Sequence, residues 1–316
     1  MDVHKIVPRG YCYGVVDAIQ MARSLAKDPS AVRPIYVLGA IVHNRHVVDE
    51  LRALGIVTVE RAGATRPELL AELPAGGGTL LFTAHGVSPS VREEAAARGF
   101  HVVDATCPDV ERTHALIRAL VDGGREILYI GRHGHPEPEG AMGEGGGHVH
   151  LVEREADLET LTLPSERPIA VVTQTTMSLW DTAALIEAIR RRFPAIEVHN
   201  EICRATQDRQ EAAVAAAADV DVVIVVGDER SNNTTRLVEV VREIAHRPAY
   251  RVDGVEEIRP EWLDGHRRVA VTAGSSTPTH RTREVIAFLE SYVESAPVQA
   301  TVGPGGSTAP AVRDPA

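Results

Sequence analysis

The sequence has few aromatic residues: Phe, Tyr and Trp together make up 4% of its 316 residues. Its cores must therefore be filled by Val, Ile, Leu and Ala. Cysteine is scarcer still. Cys12, Cys107 and Cys203 are the only three, and none has a close cysteine neighbour. An odd, dispersed set argues against a disulfide framework and for a reducing compartment, the cytoplasm. No apolar run approaches the ~18 residues of a membrane span, and "VDVVIVVG" (220–227) reads as a buried strand. The opening "MDVHKIVPRG" lacks the apolar centre of a signal peptide. Cations are outnumbered, 33 Lys and Arg against 44 Asp and Glu, for a formal charge of −11. That argues against general nucleic-acid binding, which needs clustered cations. It also requires that any anionic ligand be held by a local electropositive pocket.

What is present is organised in thirds. The length suits two or three domains of about 100–150 residues each. Cys12 and Cys107 are 95 residues apart, and Cys107 and Cys203 are 96 apart. Each cysteine follows a short extended run, "HKIVPRGYC", "FHVVDATC" or "IEVHNEIC". Each precedes a run with apolar residues at three- and four-residue intervals, which predicts an amphipathic helix. A β-branched run ending in glycine follows, at Gly39, Gly131 and Gly227, and a second apolar run carries Thr83, Thr173 or Thr272 42–45 residues later. Such runs suit strands buried on both faces of a parallel sheet. The expectation is an α/β protein of three pseudo-symmetric units with parallel sheets arranged as a trefoil: 1–105, 106–200 and 201–290. The Pro-, Gly- and Ser-rich remainder, 291–316, reads as a disordered tail, and "GEGGG" (143–147) as a flexible loop.

Ligands of parallel sheets gather at the carboxyl ends of strands, so the polar loops there are candidate site material. They carry His43 and His46, His85, His135 with Glu137, Thr175 and Thr176, Ser231 with Asn232 and Asn233, and Ser275 with Ser276. Histidines, hydroxyls, amides and helix N-termini suit a diphosphate where lysine is absent, as it is from these loops. Some of these residues have a simpler role. Ser88 and Ser178 read as helix N-caps, and an acid such as Glu137, in a loop between Pro136 and Pro138, can be merely solvated. Taken singly, each cysteine reads as a small buried apolar group. Three in matching repeat positions point to a shared iron–sulfur cluster or zinc ion.

Several motifs together resemble one family. "PRGYCYGVVDA", "IVHNRHVVDEL", "TAHGVSPSVR", "DATCPDV", "GHPEPEG", "TQTTMS", "SNN" and "TAGSSTP" are similar to those of the 4-hydroxy-3-methylbut-2-enyl diphosphate reductases, the IspH/LytB family, in order from about residue 3 to 290. The resemblance implies a central 4Fe–4S cluster, one per chain, on Cys12, Cys107 and Cys203, with one iron left for the substrate. It implies His43, His85 and His135 around the substrate. Ser231, Asn233 and Ser276 would hold its diphosphate, with Asn232 in a place where many members carry serine. Glu137, Thr175 and His135 would form the catalytic set, with Glu137 the proton donor and Thr175 near the substrate hydroxyl.

The implied reaction is the reductive dehydroxylation that ends the methylerythritol phosphate route to isoprenoids. Electrons would come from a ferredoxin or flavodoxin, and the enzyme would be a cytoplasmic monomer or homodimer. Arg204, after the third cysteine, departs from the family's small or apolar residue. It is expected in solvent, or else facing inward, where it would tune the cluster. Two other readings of the residues are a hydro-lyase using its cluster without electron transfer, and a non-enzymatic iron–sulfur or zinc sensor with no need of Glu137.

Overall fold

The structure, a computed structural model, describes residues 1–163 and 167–292. The expected tail lies outside the described residues, except that Ser291 closes the last helix and Tyr292 follows it. The chain begins with β1 (Asp2–Lys5), α1 (Tyr13–Lys27), β2 (Ile35–Leu38), α2 (Arg45–Ala53), β3 (Ile56–Val59), α3 (Arg66–Glu72), β4 (Thr79–Phe82), α4 (Pro89–Ala97) and β5 (His101–Asp104). Next come α5 (Pro108–Asp122), β6 (Glu126–Ile130), α6 (Pro136–Glu144), β7 (Val149–Val152), β8 (Ile169–Thr173), α7 (Leu179–Arg192) and β9 (Ile196–His199). The last third holds α8 (Arg204–Ala217), β10 (Val222–Val226), α9 (Asn232–Glu243), β11 (Ala249–Val252), β12 (Arg268–Ala273) and α10 (Thr279–Ser291).

These strands form three four-stranded sheets of one topology: β3-β2-β4-β5, β7-β6-β8-β9 and β11-β10-β12-β1. Every pairing is parallel. The three α/β units read from the sequence are thus present, with one difference. Strand β1 pairs with β12, Asp2 opposite Arg268 through Lys5 opposite Val271, so residues 2–5 complete the third sheet and not the first. Without them β12 would expose a row of unpaired backbone groups.

Side-chain alternation explains the apolar runs. In β10, Val223 and Val225 face Ala213 and Leu237 of α8 and α9, while Val222, Ile224 and Val226 face Val285 and Leu289 of α10. Both faces are covered, so both must be apolar. Helix α1 buries Val15, Ala18, Ile19 and Ala22 against Ile35 and Val37 of β2, the spacing of one helix face.

The strand before each cysteine and the helix after it belong to different units. Strand β5 closes the first sheet, while α5 packs Ile117 and Leu120 on Ile127 and Tyr129 of β6. Strand β9 closes the second sheet, and α8 packs on the third. Strand β1 closes the third sheet, and α1 packs on the first. Each cysteine therefore stands where one unit hands the chain to the next, and the handovers close into a ring.

Two local expectations need correction. "GEGGG" is not simply a loop. Gly143 and Glu144 end α6, and the Glu144 side chain, 2% exposed, pairs with His114 at 3.0 Å and Arg118 at 2.7 Å. These contacts override the weak helix propensity of the glycines. Ser88 occupies the N-cap position of α4 but makes no capping bond. Its hydroxyl meets Ser90 Oγ at 3.0 Å instead, and its Cβ packs against Gly143 of α6. Ser178 does cap α7, accepting the Asp181 N–H at 3.2 Å. Among the described residues no helix is long and apolar enough to cross a membrane.

Candidate active site

In each sheet the chain moves outward from one central strand and returns beside it, so a crevice opens between β2 and β4, β6 and β8, and β10 and β12. Such switch points at strand carboxyl ends are where α/β proteins bind ligands. The segments after these six strands carry His43, His85, Glu137, Thr175, Ser231 and Ser276, and all of them line one cavity with Cys12, Cys107 and Cys203.

The three cysteines are equivalent at the level of single bonds. Each is the N-cap of its helix, α1, α5 or α8. The Cys12 N–H donates to Ser275 O at 3.2 Å, that of Cys107 to Ala84 O at 3.1 Å, and that of Cys203 to Thr175 O at 3.0 Å. Every acceptor lies in the loop after the neighbouring central strand. Gly14, in the first turn of α1, permits the closest approach: a Cβ there would stand 2.4 Å from Cys107 Sγ.

Burial pushes the Cys107 thiol up to about 12 and the Cys203 thiol to about 11. Opposing this are the amides of Asp109 and Val110 on Cys107, and the amide and hydroxyl of Thr206 on Cys203, the latter 3.2 Å from Sγ. Helix N-termini favour thiolate. Arg209 donates to Gly10 O at 2.7 Å and Ala205 O at 2.6 Å; burial lowers its pKa, opposed by Cys12 and Cys203.

His43, His85 and His135 form a ring cluster with centroids 4.4, 5.1 and 5.3 Å apart. Burial lowers all three imidazoles, His43 to about 4 and the others well below their usual value, so they are neutral at pH 7. Nearby Arg66 reinforces each shift. One ring nitrogen of each lies within 4.8 Å of the others, a spacing that suits a metal ion. The hydrogen bonds decide otherwise for His135. Gln174 Oε1 accepts the Arg132 N–H at 2.9 Å, which fixes its amide orientation. Gln174 Nε2 and the Glu137 N–H therefore both donate to His135 Nδ1, each at 3.2 Å. The proton must then sit on Nε2, which makes that nitrogen a donor for an anion and not a ligand for a cation.

Glu137 is not in a loop. It is the second residue of α6, with Pro136 at the first helical position, where no N–H is needed. Its side chain is 3% exposed, and burial raises its pKa against the Thr175 N–H, which donates to Oε1 at 2.7 Å.

In the third unit, Ser231 caps α9 by accepting the Thr234 N–H at 3.3 Å. Ser276 Oγ donates to His43 O at 3.0 Å and lies 3.3 Å from Ser231 Oγ. Asn233 accepts the Ser275 N–H at 3.0 Å and donates to Thr206 at 3.3 Å. Asn232 spends its amide N–H groups on Thr176, at 2.9 Å to O and 3.1 Å to Oγ1.

His46 does not join the cavity, because its Nε2 pairs with Asp253 at 2.9 Å. Arg204 is 80% exposed and pairs with Asp208 at 2.6 Å, so it faces solvent. The sequence reading missed Gln174, Thr206, Arg209 and Arg66. Gln174, beside Thr175, was open to the same strand-end argument. Arg209 and Arg66 gave no local signal. The cavity is lined by neither Lys nor Arg, and the chain's two lysines, Lys5 and Lys27, lie in β1 and α1.

The family described as LytB protein matches residues 3–290. The 4-hydroxy-3-methylbut-2-enyl diphosphate reductase of Symbiobacterium thermophilum is 60% identical over 292 residues, covering 92% of this chain and 98% of that protein. Its counterpart in Anoxybacillus flavithermus is 53% identical over 292 residues, covering 92% and 91%. Among solved structures, the E-1-hydroxy-2-methyl-but-2-enyl-4-diphosphate reductase of Plasmodium falciparum superposes with a TM-score of 0.84 at 32% identity, covering 91% of this chain and 87% of that one. The chain belongs to the LytB family.

Proposed function

We propose that this member of the LytB family is a 4-hydroxy-3-methylbut-2-enyl diphosphate reductase. The substrate's allylic hydroxyl leaves as water, with two electrons and two protons consumed, to give isopentenyl and dimethylallyl diphosphate. The observation that carries the reading is the convergence, in one cavity, of three thiols at helix N-cap positions and one buried acid.

The donor set suits a 4Fe–4S cluster on Cys12, Cys107 and Cys203. The three thiols come from three different helix starts and line one cavity. A single zinc needs its sulfurs about 2.3 Å from one point, while a cluster takes each thiolate on a different iron. When bound, such a cluster supplies electrons and Lewis acidity.

The chain's own residues supply binding and protons. The Thr175 amide occupies Glu137 Oε1, which leaves Oε2 for the transferable proton, and burial raises the pKa, which favours the protonated form. Thr175 stands beside it, suited to the hydroxyl that leaves. His135 Nε2–H and neutral His43 and His85 offer donors without mobile charge. Ser231, Asn233 and Ser276, at and beside the positive end of α9, suit the diphosphate. Asn232 contributes through its backbone at that same helix start, since its amide is committed to Thr176. Burial of the acid keeps bulk water from protonating the allylic product indiscriminately.

The electron donor on this reading is a ferredoxin or flavodoxin in the cytoplasm. The test is anaerobic assay of the iron-loaded protein with a chemical reductant. Reductant-dependent loss of substrate supports the proposal. Turnover without reductant would instead indicate a hydro-lyase, and a colourless protein holding one zinc would overturn both.

A further inference from the structure

A second cleft adjoins the cavity and shares His43 and His135 with it as a common wall. All three units contribute to it: Arg61 and Arg66 from the first, Gly134, His135, Pro136, Pro138 and Glu139 from the second, and Arg230 from the third. Arg66 is its notable member. The residue is 7% exposed and its Nε has no partner; among the described residues no carboxylate lies within ion-pair distance of its guanidinium, and burial lowers its pKa against the more distant charges of Glu139 and Glu60. The carboxylates nearby are engaged elsewhere. Glu139 accepts the backbone N–H of Arg66 at 2.7 Å, Glu72 pairs with Arg61 at 2.9 Å, and Glu60 faces Arg230 at 3.3 Å.

A buried, unpaired cation is costly, and such a group ordinarily has a counter-ion. The chain also makes room for it. Gly39, at the end of β2 with φ +91°, has no Cβ, and one placed there would stand 2.0 Å from Arg66 Nη1. Position 39 therefore needs glycine both for its backbone and for the guanidinium.

We propose that this cleft is a second anion site, which takes a diphosphate group on Arg66, with Arg61 and Arg230 at its rim. Guanidinium binds phosphate oxygens in a bidentate manner that a free Arg66 is able to satisfy. The site supplies the cationic charge that the lining of the catalytic cavity lacks. An anion held there sits one histidine wall away from the thiols, on the approach to the cavity. The choice of a diphosphate over another anion rests on the function proposed above; the existence of the anion site does not.

The experiment is titration of the full chain with inorganic pyrophosphate, followed by calorimetry and by hydrogen exchange. Two binding events are expected. Arg66→Gln should weaken one of them at least tenfold, Arg66→Lys should weaken it less, and Asn233→Ala should leave it intact while weakening the other. Pyrophosphate should also protect the amides of residues 60–66 in the unaltered protein, a readout that stands even where a variant fails to fold. In the reductase assay, Arg66→Gln should raise KM with kcat held within about twofold. A single event unaffected by Arg66→Gln, or no protection of 60–66, would overturn the proposal. Arg66-dependent pyrophosphate binding in a protein without reductase activity would keep the anion site and discard the reaction.

Discussion

The backbone N–H of Thr175 donates to Glu137 Oε1 at 2.7 Å, joining the loop after β8 to the first turn of α6. One oxygen of the acid is thereby fixed and the other is left to carry the proton. Glu137→Gln keeps the shape and the acceptor oxygen and removes only the transferable proton. Its turnover should fall by roughly 10²–10⁴, with iron content and KM near those of the unaltered protein. Turnover at the original rate would remove Glu137 from the mechanism.

The thiols of Cys107 and Cys203, raised by burial to about 12 and about 11, are protonated at neutral pH before any metal arrives. Assembly of the proposed cluster would displace those protons, so loading should release acid and be favoured as pH rises. Cys107→Ser should lower both iron and acid-labile sulfide and bleach the visible absorption. Full retention of both would refute its role as a ligand.

Buried neutral histidines make the apo protein sensitive to acid. The pKa of His43 is about 6.5 in the unfolded chain and about 4 when folded. Below pH 6.5 the unfolded chain takes up a proton that the folded chain refuses. Stability present above pH 6.5 is therefore lost as pH falls toward 4, roughly 2 kcal/mol at pH 5 from His43 alone. His43→Asn should flatten the fall in Tm between pH 7 and 5. An unchanged slope would show that His43 titrates normally.

Neighbouring asparagines should respond differently. Asn233 binds the Ser275 amide and Thr206, so Asn233→Ala loosens the loops proposed to hold the diphosphate, and KM should rise about tenfold or more, as for removing one or two polar contacts. Asn232→Ser removes the link to Thr176 across units. It should cost about 1 kcal/mol of stability, with KM changed less than about threefold. Equal effects of the two substitutions on KM would contradict this division.

How much of this was legible beforehand depends on what each feature rests on. Nine of the twelve strands among the described residues stood out because central positions demand apolar runs or because they precede a cysteine. The other three, β3, β7 and β11, are four-residue edge strands, "IVTV", "VHLV" and "AYRV", with partly exposed side chains. Half-solvated edges do not need the apolar composition that marks a buried strand.

The periodic landmarks by themselves determined the repeat, the parallel sheets and the grouping of polar loops at strand ends, because those follow from which side chains must be buried and in what order. Only tertiary structure decided that β1 completes the third sheet, that Glu137 lies in the first turn of a helix, that the Asn232 amide N–H groups are spent on Thr176, and that the Arg66 guanidinium has no ion-pair partner among the described residues. Those facts depend on pairings between residues far apart in the chain, such as Asp2 with Arg268 and Arg66 with Gly39. Local propensity carries no trace of such partners, because the free energy that fixes them arises only when the surfaces meet.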